Sequence, residues 1–136
     1  MENFDWRNKL FDSLSFPTLI LSLDMEVVAA NTKFLEKCKY NKEQLLGKKC
    51  YNILYGLEKP CQESSCPLLK VIRTKKGTSS INKNKGNDGE DLYEDRVCSP
   101  IFSDKGDVGY ILTSIRDVTK VKLLEIESRR SRDFLE

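Results

Sequence analysis

Three strand-like runs joined by two tight glycine turns fill residues 78–115, and that arrangement commits the chain to antiparallel pairing. Thr78 to Lys85 is polar and strand-like, Gly86-Asn87-Asp88-Gly89 turns the chain, and Leu92 to Phe102 is a longer strand. Ser103-Asp104-Lys105-Gly106 turns it again into Tyr110 to Ile115. Connections this short can only reverse direction between neighbouring strands. An earlier hairpin is expected where Thr18-Leu19-Ile20-Leu21-Ser22-Leu23 meets Asp24-Met25-Glu26 and returns as Val27-Val28-Ala29-Ala30.

Helical patterns lie outside and between these strands. Residues 4–14 place Phe4, Leu10, Phe11 and Leu14 near one side of an amphipathic helix that Pro17 stops. Asn31-Thr32 offers a helix N-cap, with Phe34, Leu35 and Cys38 on the inward side. Asn41 starts another short helix, Lys42 to Leu46, closed by Gly47; Gln44 stands three residues after the cap, as in a capping box. Over residues 67–76, Pro67 takes a first-turn position, Leu68, Leu69, Val71 and Ile72 form an apolar face, and Gly77 ends the helix. The order ββ, short helices, βββ predicts an α+β domain: one five-stranded antiparallel sheet with short helices on one face.

The last strand runs through Ser114-Ile115-Arg116-Asp117-Val118-Thr119 directly into a charged helical pattern without Pro or Gly. Val121, Leu124, Ser128, Ser131 and Leu135 follow a 3-4-3-4 spacing, the seam of a coiled coil. Two serines weaken that seam, so it calls for a partner or a longer helix. The chain is expected to be a module of a longer protein, with this helix leading outward.

A chain of 136 residues supports one domain and one modest core. Its net charge of +2 argues neither for nor against a nucleic-acid partner. No apolar run approaches the ~20 residues that cross a bilayer. Met1-Glu2-Asn3-Phe4-Asp5 lacks the basic start of a secretory signal, so a cytoplasmic location is expected, in a protein that can still be membrane-anchored elsewhere. Five cysteines cannot all pair internally, and in a reducing cytosol they default to free thiols.

The chain contains no histidine. A phosphorelay histidine, a Ser-His-Asp triad, a Cys-His dyad, a His-ligated haem and a Cys/His zinc site are thereby excluded.

Charge is segregated around one turn. Lys70, Arg73, Lys75, Lys76, Lys83 and Lys85 precede it, and Asp88, Glu90, Asp91, Glu94 and Asp95 follow. No aromatic residue is interleaved to stack bases. The blocks therefore read as cross-strand pairs, with Lys83 and Lys85 facing acids on the next strand.

Several short motifs occur in order. Phe16-Pro17-Thr18-Leu19-Ile20 with Val27-Val28-Ala29-Ala30-Asn31 makes an opening hairpin with a terminal Asn, and Leu45-Leu46-Gly47-Lys48 makes a turn. Ser99-Pro100-Ile101-Phe102-Ser103-Asp104-Lys105-Gly106 and Ile115-Arg116-Asp117-Val118-Thr119 complete the set. Together they resemble the PAS family, the sensor domains of bacterial and archaeal signalling proteins, from about Phe11 to Thr119. One departure is Gly106-Asp107-Val108-Gly109, a residue shorter than the usual spacing and expected to alter that hairpin turn. The resemblance implies an N-terminal helix over 1–15, a sensor domain over 16–119 and a signalling helix over 120–136. It implies a homodimer through the N- and C-terminal helices and a covalently linked downstream effector. A histidine kinase transmitter comes first among effectors, with a diguanylate cyclase or transcription activator as alternatives. No catalytic activity is expected of this chain itself, and no contact with nucleic acid or membrane. A constitutive dimerisation module without a ligand is the competing reading.

The resemblance also implies signal relay by Asp117 and Thr119, at the junction where the sheet hands rearrangement to the outgoing helix. Their side chains suit a plain N-cap as well.

Cys50-Tyr51, Pro60-Cys61 and Cys66-Pro67 resemble a pattern found in a subset of the family. Three readings of Cys50, Cys61 and Cys66 stay open: inert thiols, a thiol–disulfide switch most simply between Cys61 and Cys66, or a metal or cluster site in a loop held by two prolines. A fourth ligand would come from Cys98, Cys38, Glu58, Glu63 or an exogenous group. Positive neighbours for a thiolate are expected in Lys48, Lys49 and Lys59. Cys98 and Cys38 read as core filling. A thiol peroxidase would further need a positioned base and a resolving partner. The cofactor is not identified: the flavin photosensor motif of the family is missing, while a metal, or a small ligand or flavin held non-covalently, stays open.

Overall fold

The computed structural model describes residues 6–38, 40–55, 58–59, 66–86 and 88–135. Five strands, β1 (Thr18–Ser22), β2 (Val27–Ala30), β3 (Thr78–Lys85), β4 (Asp91–Phe102) and β5 (Val108–Asp117), form one antiparallel sheet. Its order is β2-β1-β5-β4-β3, so the last strand lies at the centre and joins the two hairpins. Six helices complete the described residues: α1 (Trp6–Ser13), α2 (Thr32–Lys37), α3 (Lys42–Leu45), α4 (Cys50–Tyr55), α5 (Pro67–Thr74) and α6 (Thr119–Leu135).

Period-two alternation selects the face of the sheet that is covered. Leu19 and Leu21 on β1, Glu94, Arg96 and Cys98 on β4, and Ile111, Thr113 and Ile115 on β5 are all buried. Phe34, Leu45, Leu68 and Val71 from α2, α3 and α5 close over them. Burying a side chain of this size stabilises the fold by roughly 1.5–3 kcal/mol. The core is therefore a single layer between sheet and short helices.

Asn31 locks the first hairpin to α2. It is fully buried; its Oδ1 accepts from the N–H groups of Thr18 (2.9 Å) and Phe34 (3.0 Å), and its Nδ2 donates to the Phe16 carbonyl (2.9 Å). The Asn41 capping box forms as expected, with Gln44 and Asn41 exchanging side-chain-to-backbone bonds. Residues 47–49 bond back to the first hairpin, and the Cys50 N–H reaches the Met25 carbonyl at 2.7 Å.

Several expectations change. Cys50 and Cys66 do not share a loop: Cys50 opens helix α4 and Cys66 is the N-cap of α5. Helix α5 stops at Thr74, because Lys75 takes the left-handed conformation (φ 59°) and its N–H returns to the Val71 carbonyl. Gly77 lies beyond that end, where an added Cβ would stand 3.3 Å from the Cys98 carbonyl. Helix α1 buries no residue, with Leu10 exposed on it and Leu14 just beyond it. The short Gly106 turn is accommodated by a register shift between Ile101 and Phe102, with Gly106 at φ +86°.

The charge blocks pair across the β3–β4 hairpin, where Asp91 meets Lys85 at 2.7 Å and Lys83 at 3.4 Å. Exposed pairs of this kind contribute little stability.

Candidate functional site

The two sites read from the sequence both border strand β4. Near the start of β4, the Thr119 hydroxyl accepts from the Tyr93 N–H at 2.9 Å and donates to Asp117 Oδ1 at 2.6 Å. Asp117 Oδ1 also accepts from the Thr119 N–H at 2.9 Å, and the Tyr93 carbonyl accepts from the Val118 N–H at 2.9 Å. Asp117 is thus the last residue of β5, and its carboxylate folds the next two residues into the start of α6. The Thr119 hydroxyl, then its N–H, hold the Asp117 carboxyl below the ordinary range, with Lys37 adding a smaller pull.

Beside the junction, Lys37 of α2 forms an ion pair with the buried Glu94 of β4. Arg96, two residues along the same face, lies 4.0 Å from Glu94 and donates from Nη2 to the Leu54 carbonyl in the last turn of α4 at 3.2 Å. A guanidinium at that place suits the negative end of the helix.

The next residue on that face is Cys98. With Cys50, Cys66, Leu54, Arg96 and Thr113 it lines a cavity of about 10 Å3, near the smallest that holds one water. Cys50, Cys66 and Cys98 are all buried and all free thiols. Burial pushes the Cys98 thiol up, an effect that its 3.6 Å contact with the Thr113 hydroxyl opposes. Nearby Cys66 raises it further and Arg96 lowers it.

The structure therefore brings Cys50 and Cys66 together but adds Cys98, which the sequence assigned to core filling. Cys61 and Glu63 lie outside the described residues. Cys38 is half-buried and its Sγ–H donates to the Tyr40 carbonyl at 3.2 Å, away from the cavity. Glu58 is exposed. Two of the lysines expected near the thiols are engaged elsewhere, Lys49 with Glu26 at 3.2 Å and Lys48 over the Tyr40 ring, and Lys59 is exposed. Arg96 is the cation at the cavity. Its signal in the sequence was the alternation Glu94, Arg96, Cys98, three residues on one strand face. Among the described residues no group of three or more Cys, Asp or Glu side chains is placed to hold a metal ion.

The family model described as the PAS domain matches residues 15–120. The chain belongs to the PAS domain family. Solved structures agree on the fold. A PAS domain of a protein from Colwellia psychrerythraea superposes with a TM-score of 0.63 at 18% identity, covering 85% of this chain and 96% of that one. A sensory box sensor histidine kinase from Vibrio cholerae gives 0.61 at 22%, covering 84% and 90%. An RNA-binding light-oxygen-voltage receptor gives 0.68 at 18%, covering 96% of this chain and 38% of that receptor, so this PAS domain spans well under half of its length. No curated protein sequence matches the chain significantly. As a PAS domain the chain is a sensory module. Among the described residues no helix is long and apolar enough to cross a membrane.

Proposed function

We propose that this PAS domain relays a ligand or redox signal from its inner face to an effector through α6, and that Asp117 and Thr119 carry the relay. The observation behind this reading is the double attachment of Tyr93: its N–H is held by the Thr119 hydroxyl and its carbonyl by the Val118 N–H. A shift of β4 reaches the first turn of α6 with no flexible linker between. The cavity at Cys98 lies five residues along the same strand, so a change there acts on the element that anchors the helix.

The effector we propose is a histidine kinase transmitter, in keeping with the fold shared with the Vibrio cholerae sensor kinase. The working unit is a dimer of this chain. Val121 and Leu124 are more than half exposed, and with Leu123 they leave an apolar strip on α6. A shallow groove of about 520 Å3 runs beside it, from Asp117 and Thr119 to Glu127. The location proposed is cytoplasmic.

The test is a chimera in which α6 continues in register into a histidine kinase transmitter. Replacing Thr119 by Val is expected to change autophosphorylation severalfold, whereas output equal to the unsubstituted chimera would refute the relay. A second reading, a constitutive dimerisation module, draws support from the cavity of about 10 Å3, too small for a prosthetic group. It requires that substitutions at the cavity leave the chimera's output unchanged.

A further inference from the structure

The Cys98 cavity admits about one water, so without rearrangement its chemistry is confined to its own sulfurs and a reagent of nearly that size. Two sulfurs are well placed for it. Cys66 starts α5, which packs against β4, and its side chain makes no capping hydrogen bond. Cys98 sits on β4 under that helix start, and the two side chains line the same small cavity. The Arg96 guanidinium, on the same strand face, favours negative charge on the Cys98 sulfur.

We propose that Cys66 and Cys98 form an oxidisable dithiol pair, closed to a disulfide by hydrogen peroxide. The Cys66 sulfur attacks one peroxide oxygen, the O–O bond breaks, and the departing oxygen takes up the Cys66 thiol proton and leaves as water, giving a sulfenic acid. The Cys98 sulfur then attacks the Cys66 sulfur, the S–O bond breaks, and a second water leaves with the remaining proton. Two thiols and one peroxide become one disulfide and two waters. Burial pushes the Cys98 thiol up, so Cys98 rests protonated and its proton is the one that leaves with the second water.

The bond would tie the start of α5 to the middle of β4. Its consequence for α6 rests on the relay reading above, whereas the bond itself does not. Neither Cys61 nor Cys50 belongs to the pair, which separates it from a Cys61–Cys66 switch, one of the three readings the sequence left open.

The test uses the whole chain, reduced, desalted and titrated with hydrogen peroxide, then alkylated and digested without reductant for mass spectrometry. The expected product is a Cys66–Cys98 cross-linked peptide, lost in Cys66→Ser and Cys98→Ala and retained in Cys38→Ser and Cys50→Ser. Circular dichroism of the reduced variants separates a lost bond from a lost fold. A cross-link between Cys61 and Cys66, or full alkylation of Cys66 and Cys98 at peroxide levels that oxidise glutathione, would overturn the pair. If the bond forms while amide exchange in α6 stays unchanged, the dithiol pair stands and the relay reading fails.

Discussion

The hydroxyl of Thr119, the first residue of α6, accepts a hydrogen bond from the backbone N–H of Tyr93 on β4 at 2.9 Å. The two residues are 26 apart in sequence, so this bond ties the sheet to the helix and not merely to its own turn. Removing the hydroxyl while keeping the shape isolates it. Thr119→Val is expected to cost about 1–2 kcal/mol, the range for a lost cap with a stranded backbone donor. Urea unfolding followed by circular dichroism measures it, and an unchanged midpoint would show that the bond carries no load.

The same junction has a defined response to acid. The Asp117 carboxyl is held down by the Thr119 hydroxyl and N–H, so its folded value lies below its unfolded one. Its contribution is present above the ordinary carboxylate range and is lost as pH falls through the depressed value. The groups facing it are Thr119 and, more distantly, Lys37. An NMR titration should place Asp117 below a typical aspartate, and Thr119→Val should move it upward. An unmoved titration in that variant would assign the shift to another cause.

Lys37 and Glu94 join α2 to β4, with the carboxylate buried and the ammonium nearly half exposed. Lys37→Met leaves a buried charge short of its ion-pair partner, so it should destabilise by about 2 kcal/mol. Adding Glu94→Gln to it should recover part of that loss. Thermal melts of the two singles and the double give the cycle, and strict additivity would mean that the pair is not coupled.

Asn31 satisfies two backbone N–H groups and one carbonyl from a fully buried position. Asn31→Ala strands those groups together with the first hairpin, at a cost of about 3 kcal/mol. For a domain of this size that lowers Tm by roughly 10 °C. A change of a degree or two would indicate that water replaces the side chain.

The exposed strip on α6 predicts self-association. Leu124→Asp, or truncation before Lys120, should shift the chain toward monomer in sedimentation velocity. The same profile for all three proteins would place the dimer contact elsewhere or remove it.

What the sequence made legible was local. Asn31 and Asn41 announce their helices because a capping side chain bonds within three residues of itself, and the β3–β4–β5 meander is written in its turns. Asp117 and Thr119 were legible as a helix start for the same reason. The bond from Thr119 to Tyr93, and the ion pair between Lys37 and Glu94 across 57 residues, depend on strand register and helix placement that no short window contains. The cysteines illustrate the limit most clearly. Spacing grouped Cys50, Cys61 and Cys66 because they are near in sequence, whereas the sheet brings Cys98 to Cys66 from the far side of a hairpin. Only the alternation of Glu94, Arg96 and Cys98 hinted that a polar strand face turns inward.

Coupling between the Cys98 cavity and α6 is best measured by amide hydrogen exchange on four proteins: the parent, Cys98→Leu, Thr119→Val and the double variant. Overfilling the small cavity with leucine should change protection in the first turns of α6 when Thr119 is present, and that change should vanish in the Thr119→Val background. Equal α6 protection in the parent and Cys98→Leu, with both folded, would contradict the relay through Tyr93 and Thr119.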